Sequence, residues 1–150
     1  MKILTISAQK PDSTGSGIYL SELVKSFRSM GIENAVLCGI DKNDHPVWEE
    51  DVRFYPVRFQ TEELPFPVVG MSDLMPYEST RYKDMEPWMQ ERFEEVFTEK
   101  VRQTVQEFAP DFILCHHLYF LTAVISGSYH CNLIWIKIIN LFNPAFLIFL

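Results

Sequence analysis

The chain has 150 residues, 47% of them hydrophobic and 22% charged, with a formal net charge of −7. That length and balance suit one domain with a true core and exclude a disordered or fibrous chain. The acidic surplus argues against nucleic acid as a partner.

Cys38, Cys115 and Cys131 lie far apart with no CxxC spacing. Zinc or disulfide frameworks are therefore poor fits, no metal is expected, and reduced thiols point to a cytoplasmic protein. The opening residues, Met1 to Ser7, form too short an apolar run for a secretory signal.

Taken along the chain, Lys2 to Ser7 reads as a buried strand, a short apolar run with β-branched residues. A polar loop, Ala8 to Ser16, carries Pro11, Asp12, Ser13, Thr14 and Gly15 as turn residues. Tyr19, Leu23, Phe27 and Met30 then recur at helical spacing, predicting an apolar face, with Ser16 as the N-cap and Gly31 as the terminating glycine. Asn34 to Ile40 is a second apolar run. Strand, helix, strand predicts a βαβ unit with a parallel sheet and a right-handed crossover.

Val52 to Phe59 alternates as a third strand, and Leu64 to Tyr82, with Pro65, Pro67, Gly70 and Pro76, reads as a long ordered loop. From Pro87 to about Phe108 a long helix presents Met89, Phe93, Val96, Phe97, Val101, Val105 and Phe108 as its apolar stripe. Pro110 stops it. Asp111 to Cys115 is a further buried strand, followed by His116 and His117 and a helix over Leu118 to Ser126. The expected fold is α/β, a Rossmann-like, doubly wound, mainly parallel sheet.

Two segments carry chemistry. Gly15, Ser16 and Gly17 stand at a helix start, where glycines admit a ligand to the backbone and free N–H groups favour phosphate. The same residues also suit a plain loop with a cap. The pattern departs from the dinucleotide fingerprint G-x-G-x-x-G. Its third glycine falls at Leu20, and the gap after the strand is too long, although Asp41 resembles the ribose-binding acid. His116 and His117 end a parallel strand at the edge where open α/β sheets bind ligands, and there a histidine can donate to phosphate or a sugar hydroxyl. A helix-capping or crevice-filling role is the alternative. Glu91 and Glu99, like Glu78 and Glu86, match a Glu-x7-Glu spacing, but Glu91 and Glu99 sit on the long helix's charged face, where solvated glutamates are ordinary.

Together these segments resemble the N-terminal domain of retaining GT-B glycosyltransferases of family 4. Members pair a strand and a glycine loop with a helix of the form Gly-x-x-x-Tyr-x-x-Glu-Leu-x-x-x-Leu-x-x-x-Gly. Tyr19, Glu22, Leu23 and Gly31 match it, Phe27 stands for leucine, and Thr14 replaces the first glycine of the usual pair. Members also carry Pro-Asp-apolar-apolar-His-x-His. Pro110, Asp111 and His116 keep it, with Leu114 in place of the first histidine.

The resemblance spans roughly residues 1–126. It implies transfer of a sugar from a nucleotide-sugar donor to an acceptor, with the donor a substrate and no resident cofactor. Gly15, Ser16 and Gly17 would form the donor phosphate or sugar loop, and His116 would contact the transferred sugar. Tyr19, Ser72, Asp73, Tyr77, Arg81 and His117 would lie on the acceptor side. A non-catalytic Rossmann-like binding module completed by a partner, and an NAD(P)-dependent reductase, are the alternatives.

No acidic residue follows Asp111, and residues 128–150 are mostly apolar. The expected organisation is thus an incomplete N-terminal Rossmann-like domain over residues 1–127 and an apolar, non-native tail over 128–150. The family's donor-nucleotide half would be missing and the chain inactive alone. An ordinary continuation of the core, and a membrane or interface anchor with peripheral contact at the inner membrane face, are the less favoured options.

Overall fold

A computed structural model describes residues 1–116, 120–128 and 133–136. Strand β1 (Lys2–Ser7) leads into α1 (Gly15–Ser29), β2 (Glu33–Asp41) and β3 (Arg53–Phe59). Two short strands, β4 (Val69–Gly70) and β5 (Thr80–Arg81), precede a 3-10 turn over Tyr82–Asp84. Then come α2 (Pro87–Phe108), β6 (Phe112–His116), α3 (Phe120–Ser128) and β7 (Leu133–Ile136). The main sheet is five-stranded, ordered β3-β2-β1-β6-β7, and every pairing is parallel. The expected Rossmann-like α/β architecture is present.

Alternation along the strands sends side chains to two cores. Leu4 and Ile6 of β1 and Ala35 and Leu37 of β2 join Phe93, Phe97, Leu121 and Ile125 in one core. Val36 and Cys38 of β2 instead pack with Leu20 and Val24 of α1. Helix α1 therefore covers one face of the sheet, and α2 with α3 the other. The larger core centres on aromatics. Phe93 stacks on Phe97 at 4.3 Å between centroids, and Phe59 reaches Phe66, Phe93 and Phe97 at 5.8, 6.4 and 6.2 Å. Each such ring contributes about 1.5–3 kcal/mol on leaving water.

Helix α2 has the predicted bounds and buries Met89, Phe93, Phe97, Val101 and Phe108. Val96 and Val105 pack at the margin, and Thr104 is buried too. Helix α1 departs from expectation. Its buried face is Gly17, Leu20, Ser21 and Val24, whereas Tyr19 and Met30 are exposed and Leu23 and Phe27 half-buried. The small residues Gly17 and Ser21 let the backbone approach, so the helix packs on their side rather than on its bulkier stripe. The cap is Thr14, whose Oγ1 accepts from the Gly17 N–H, and not Ser16. Gly31 terminates the helix as predicted, at φ 73°. Its N–H donates to Arg28 O and that of Ile32 to Phe27 O, both orphan carbonyls of the last turn.

The segment Leu64 to Tyr82 is more built than a plain loop. Leu64, Phe66, Val68 and Val69 enter the larger core, and Thr80 N donates to Val68 O beside the parallel β4–β5 pair. The last strand also departs from expectation. Within the segment expected to be an apolar, non-native tail, Leu133–Ile136 extends the sheet beside β6. Its β-branched, apolar sequence suits a parallel strand. The rest of the 128–150 segment, residues 129–132 and 137–150, lies outside the described residues. Among the described residues, no helix is long and apolar enough to cross a membrane.

Candidate functional site

From β1 the chain proceeds to β2 on one side of the sheet. From β6 it proceeds to β7 on the other. Strands β1 and β6 are neighbours, paired from Ile3↔Phe112 to Ile6↔Cys115. Their carboxyl ends thus open a crevice where the strand order reverses, the usual ligand position in open α/β sheets.

One wall is the loop Ala8–Thr14 and the start of α1. Gln9 is buried, its N–H donating to Ser7 Oγ at 3.1 Å and its Oε1 accepting from Ser16 Oγ at 3.2 Å. Ser16 Oγ also lies 3.0 Å from Thr14 Oγ1. Ser16 is thus a strut between helix start and loop. No acidic residue stands in the first turn of α1, so its positive dipole end is uncancelled there.

The two glycines separate in role. A Cβ on Gly17 would stand 2.5 Å from Lys10 O and 3.0 Å from Asp12 N, so this glycine lets helix and loop pack together. A Cβ on Gly15 would meet nothing within 4 Å. Only Gly15 leaves open space beside the backbone.

The other wall is His116, 2% exposed at the end of β6. Its ring centroid lies 6.0 Å from that of Tyr19, tilted by 57°. Tyr19, on the helix that the glycine segment opens, and His116 therefore meet from segments nearly a hundred residues apart. His117 lies outside the described residues. Among those described, no group of three or more His, Cys, Asp or Glu could hold a metal ion.

The four acceptor-side residues expected within the Leu64–Tyr82 segment divide into two places. Ser72, Asp73 and Arg81 line a surface depression of about 460 Å³ with Met71, Tyr82 and Lys83. There Arg81 Nη1 donates to Asp73 Oδ1 at 2.6 Å, and Arg81 Nε donates to Asp84. Hydrogen bonds and charge from Arg81 and Lys83 hold the Asp73 carboxyl below its ordinary range. Tyr77 instead leans on the glycine loop, with the Lys10 ammonium 4.8 Å from its ring centroid. Burial pushes its phenol up to about 12.

Lys10 is the residue that sequence reading missed. Its ammonium pairs with Asp41 and, at 2.7 Å, with Asp44, while its side chain is only 11% exposed. Burial opposes that charge, but the two carboxylates outweigh it and raise the pKa above the ordinary lysine value. Arg58 Nη1 braces the same turn by donating to the carbonyls of Asp41, Lys42 and Asp44. A lone lysine in a polar loop gives no signal, since its partners follow thirty residues later. The Glu99 carboxylate is engaged by Arg102 and Gln103 on the surface of α2.

No protein-family profile matches the chain, and no curated protein sequence does. Among solved structures, the chain is similar to the sucrose-phosphate synthase of Thermosynechococcus elongatus, with a TM-score of 0.59 and 16% identity. The match covers 90% of this chain and 32% of the synthase, so the chain spans about a third of that protein. A UDP-galactose 4-epimerase matches at a TM-score of 0.39 and 12% identity, over 77% of this chain and 37% of the epimerase. That level establishes no shared fold. The first likeness shows that the fold is GT-B-like.

Proposed function

We propose that the chain is the acceptor-side half of a retaining, nucleotide-sugar-dependent glycosyltransferase of family 4, acting on an acceptor still to be identified. One observation carries the reading. The start of α1, with open space at Gly15, and the buried His116 face one crevice at the sheet's switch point, in a fold like that of a sucrose-phosphate synthase.

Sugar transfer expels a nucleoside diphosphate, so the site must stabilise negative charge on the leaving group. The first amides of α1, apart from the Gly17 N–H that Thr14 Oγ1 caps, suit that task, because they point along the helix axis and no carboxylate of the first turn competes for them. His116 would contact the transferred sugar, with Tyr19 packed beside its ring. A second Rossmann-like domain supplies the nucleotide half of the site in a GT-B enzyme. The donor is a substrate, and the reading needs no resident cofactor.

The nicotinamide reading fits less well. Its ribose acid would be Asp41, whose carboxylate is held by Lys10. Its third glycine position is Leu20, which fills the core under α1.

The test is titration of the isotope-labelled chain with uridine and guanosine diphosphate sugars, followed by amide NMR. Saturable shifts confined to Gly15–Gly17 and the end of β6 are expected. Shifts absent there, or saturable binding of NADPH at the same crevice, would sink the proposal.

A further inference from the structure

We infer that Lys10 is the positioning residue of this crevice: it fixes the glycine loop in its ligand-ready shape and ties it to the Leu64–Tyr82 segment through Tyr77. The inference rests on the site reading above, because the loop matters only if a ligand meets the start of α1.

The loop Ala8–Thr14 has no regular structure and holds Asp12 at φ 59°, in the left-handed region, which Asp enters more readily than most side chains but still at a cost. Such a conformation persists only where surrounding contacts impose it. Lys10, two residues before Asp12, supplies a charged anchor for this loop. Its ammonium sits in a socket built from the end of β2, the turn after it and β3. The carboxylates of Asp41 and Asp44 lie at the end of β2, Arg58 from β3 anchors the carbonyls around them, and the Asp41 N–H donates to Asp44 Oδ2 at 3.0 Å. Tyr77 closes the socket, its ring over the ammonium.

The backbone consequence is direct. Lys10 O and Asp12 N are the atoms against which Gly17 packs, so wherever Lys10 is held, the first turn of α1 is held as well. The same ammonium offsets one of the two carboxylate charges at the crevice edge, which would otherwise repel an anionic ligand more strongly.

The test uses the full chain with Lys10→Met, which keeps the aliphatic stem and removes the charge. Because this strands two partly buried carboxylates and could unfold the protein, a second variant combines it with Asp41→Asn and Asp44→Asn. Amide hydrogen exchange is measured for residues 9–17 and 74–78, and binding of inorganic pyrophosphate is followed at the Gly15–Gly17 amides.

The expected result, in the triple variant, is exchange faster by on the order of tenfold in both segments at an unchanged rate in α2. Pyrophosphate affinity should fall by a similar factor. Tyr77→Leu should speed exchange at 74–78 with a smaller effect at 9–17. Wild-type exchange at 9–17 in the triple variant would overturn the inference, and so would faster exchange with unchanged affinity. If the wild-type chain itself ignores pyrophosphate, the donor-site reading falls, and the exchange data alone still decide whether Lys10 sets the loop.

Discussion

Replacing Gly17 and Gly15 in turn by alanine separates packing from ligand approach. At Gly17 the new Cβ would stand 2.5 Å from Lys10 O, 3.0 Å from Asp12 N and 3.2 Å from Pro11 C. All three are backbone atoms, so no side chain can swing aside. Ordinary carbon contacts sit at about 3.5–4.0 Å, so helix and loop must part by roughly 1 Å. Forced overpacking of this kind costs about 1–3 kcal/mol. Alanine returns at most about 1 kcal/mol through helix propensity. The net effect of Gly17→Ala is then a loss of about 0–2 kcal/mol against the wild type and about 1–3 kcal/mol against Gly15→Ala, so for a chain of this size its Tm should lie about 2–12 °C below that of Gly15→Ala. At Gly15 there is no contact to break. Gly15→Ala keeps only the propensity gain, so its Tm should equal or slightly exceed that of the wild type, while the new methyl occupies the space assigned to the donor. Scanning calorimetry and pyrophosphate titration of both variants check this. A Gly17→Ala protein as stable as Gly15→Ala would refute the packing argument.

Other expectations follow from single features. Ala109 caps α2 at φ 50°. Ala109→Gly removes a left-handed penalty of about 1–2 kcal/mol and adds about 0.5–1 kcal/mol of chain entropy, so Tm should rise by a few degrees in calorimetry. Phe97 is fully buried and stacked on Phe93. Phe97→Ala should lose about 3–5 kcal/mol in urea unfolding, and a loss below about 1 kcal/mol would mean that the aromatic core is not as described. For Asp44, burial alone would raise the carboxyl pKa, but Lys10 outweighs it and holds it low. Its stabilisation is present above the unfolded value of about 3.9 and fades as pH falls towards the depressed folded value, so Asp44→Asn should show a shallower acid loss of Tm below about pH 4. The raised Lys10 works at the other end. Its contribution is complete below the unfolded value of about 10.4 and is lost as pH rises from there through the raised folded value, so Lys10→Met should flatten the alkaline limb of the same profile.

The fold was legible because its signals are local and repeated. A 22-residue helix opens at Pro87, carries an apolar stripe at helical spacing and stops before Pro110. Likewise β1 is a short apolar run whose bounds the pattern gave directly. Helix α1 misled because two competing faces both recur at helical spacing. The hydrophobic one, Tyr19 to Met30, lost to one containing Gly17 and Ser21, since close backbone approach outweighs side-chain size there. Half of the site was legible for a similar reason. Gly15 and His116 sit in recognisable contexts, a helix start and a strand end. Lys10 was not, because its role depends on Asp41, Asp44, Arg58 and Tyr77, all brought in by tertiary structure. The division of Ser72, Asp73 and Arg81 from Tyr77 was equally invisible, since it follows from how β4 and β5 pair.

The charge distribution brings these threads together. A chain of net charge −7 is an unpromising receptor for a diphosphate. At the crevice edge, however, Lys10 is fully engaged by Asp41 and Asp44, and Arg58 donates to three backbone carbonyls. Side-chain cations are thus spent on architecture. What remains for an anion is the backbone itself, the first amides of α1 with no acid in the turn. Affinity built that way depends on loop geometry more than on net charge, and helix-end interactions fade within one turn. Adding surface charge far from the crevice should therefore change the salt dependence of binding only weakly, whereas a shift of the loop by 1 Å, the displacement reasoned above for Gly17→Ala, should weaken it outright.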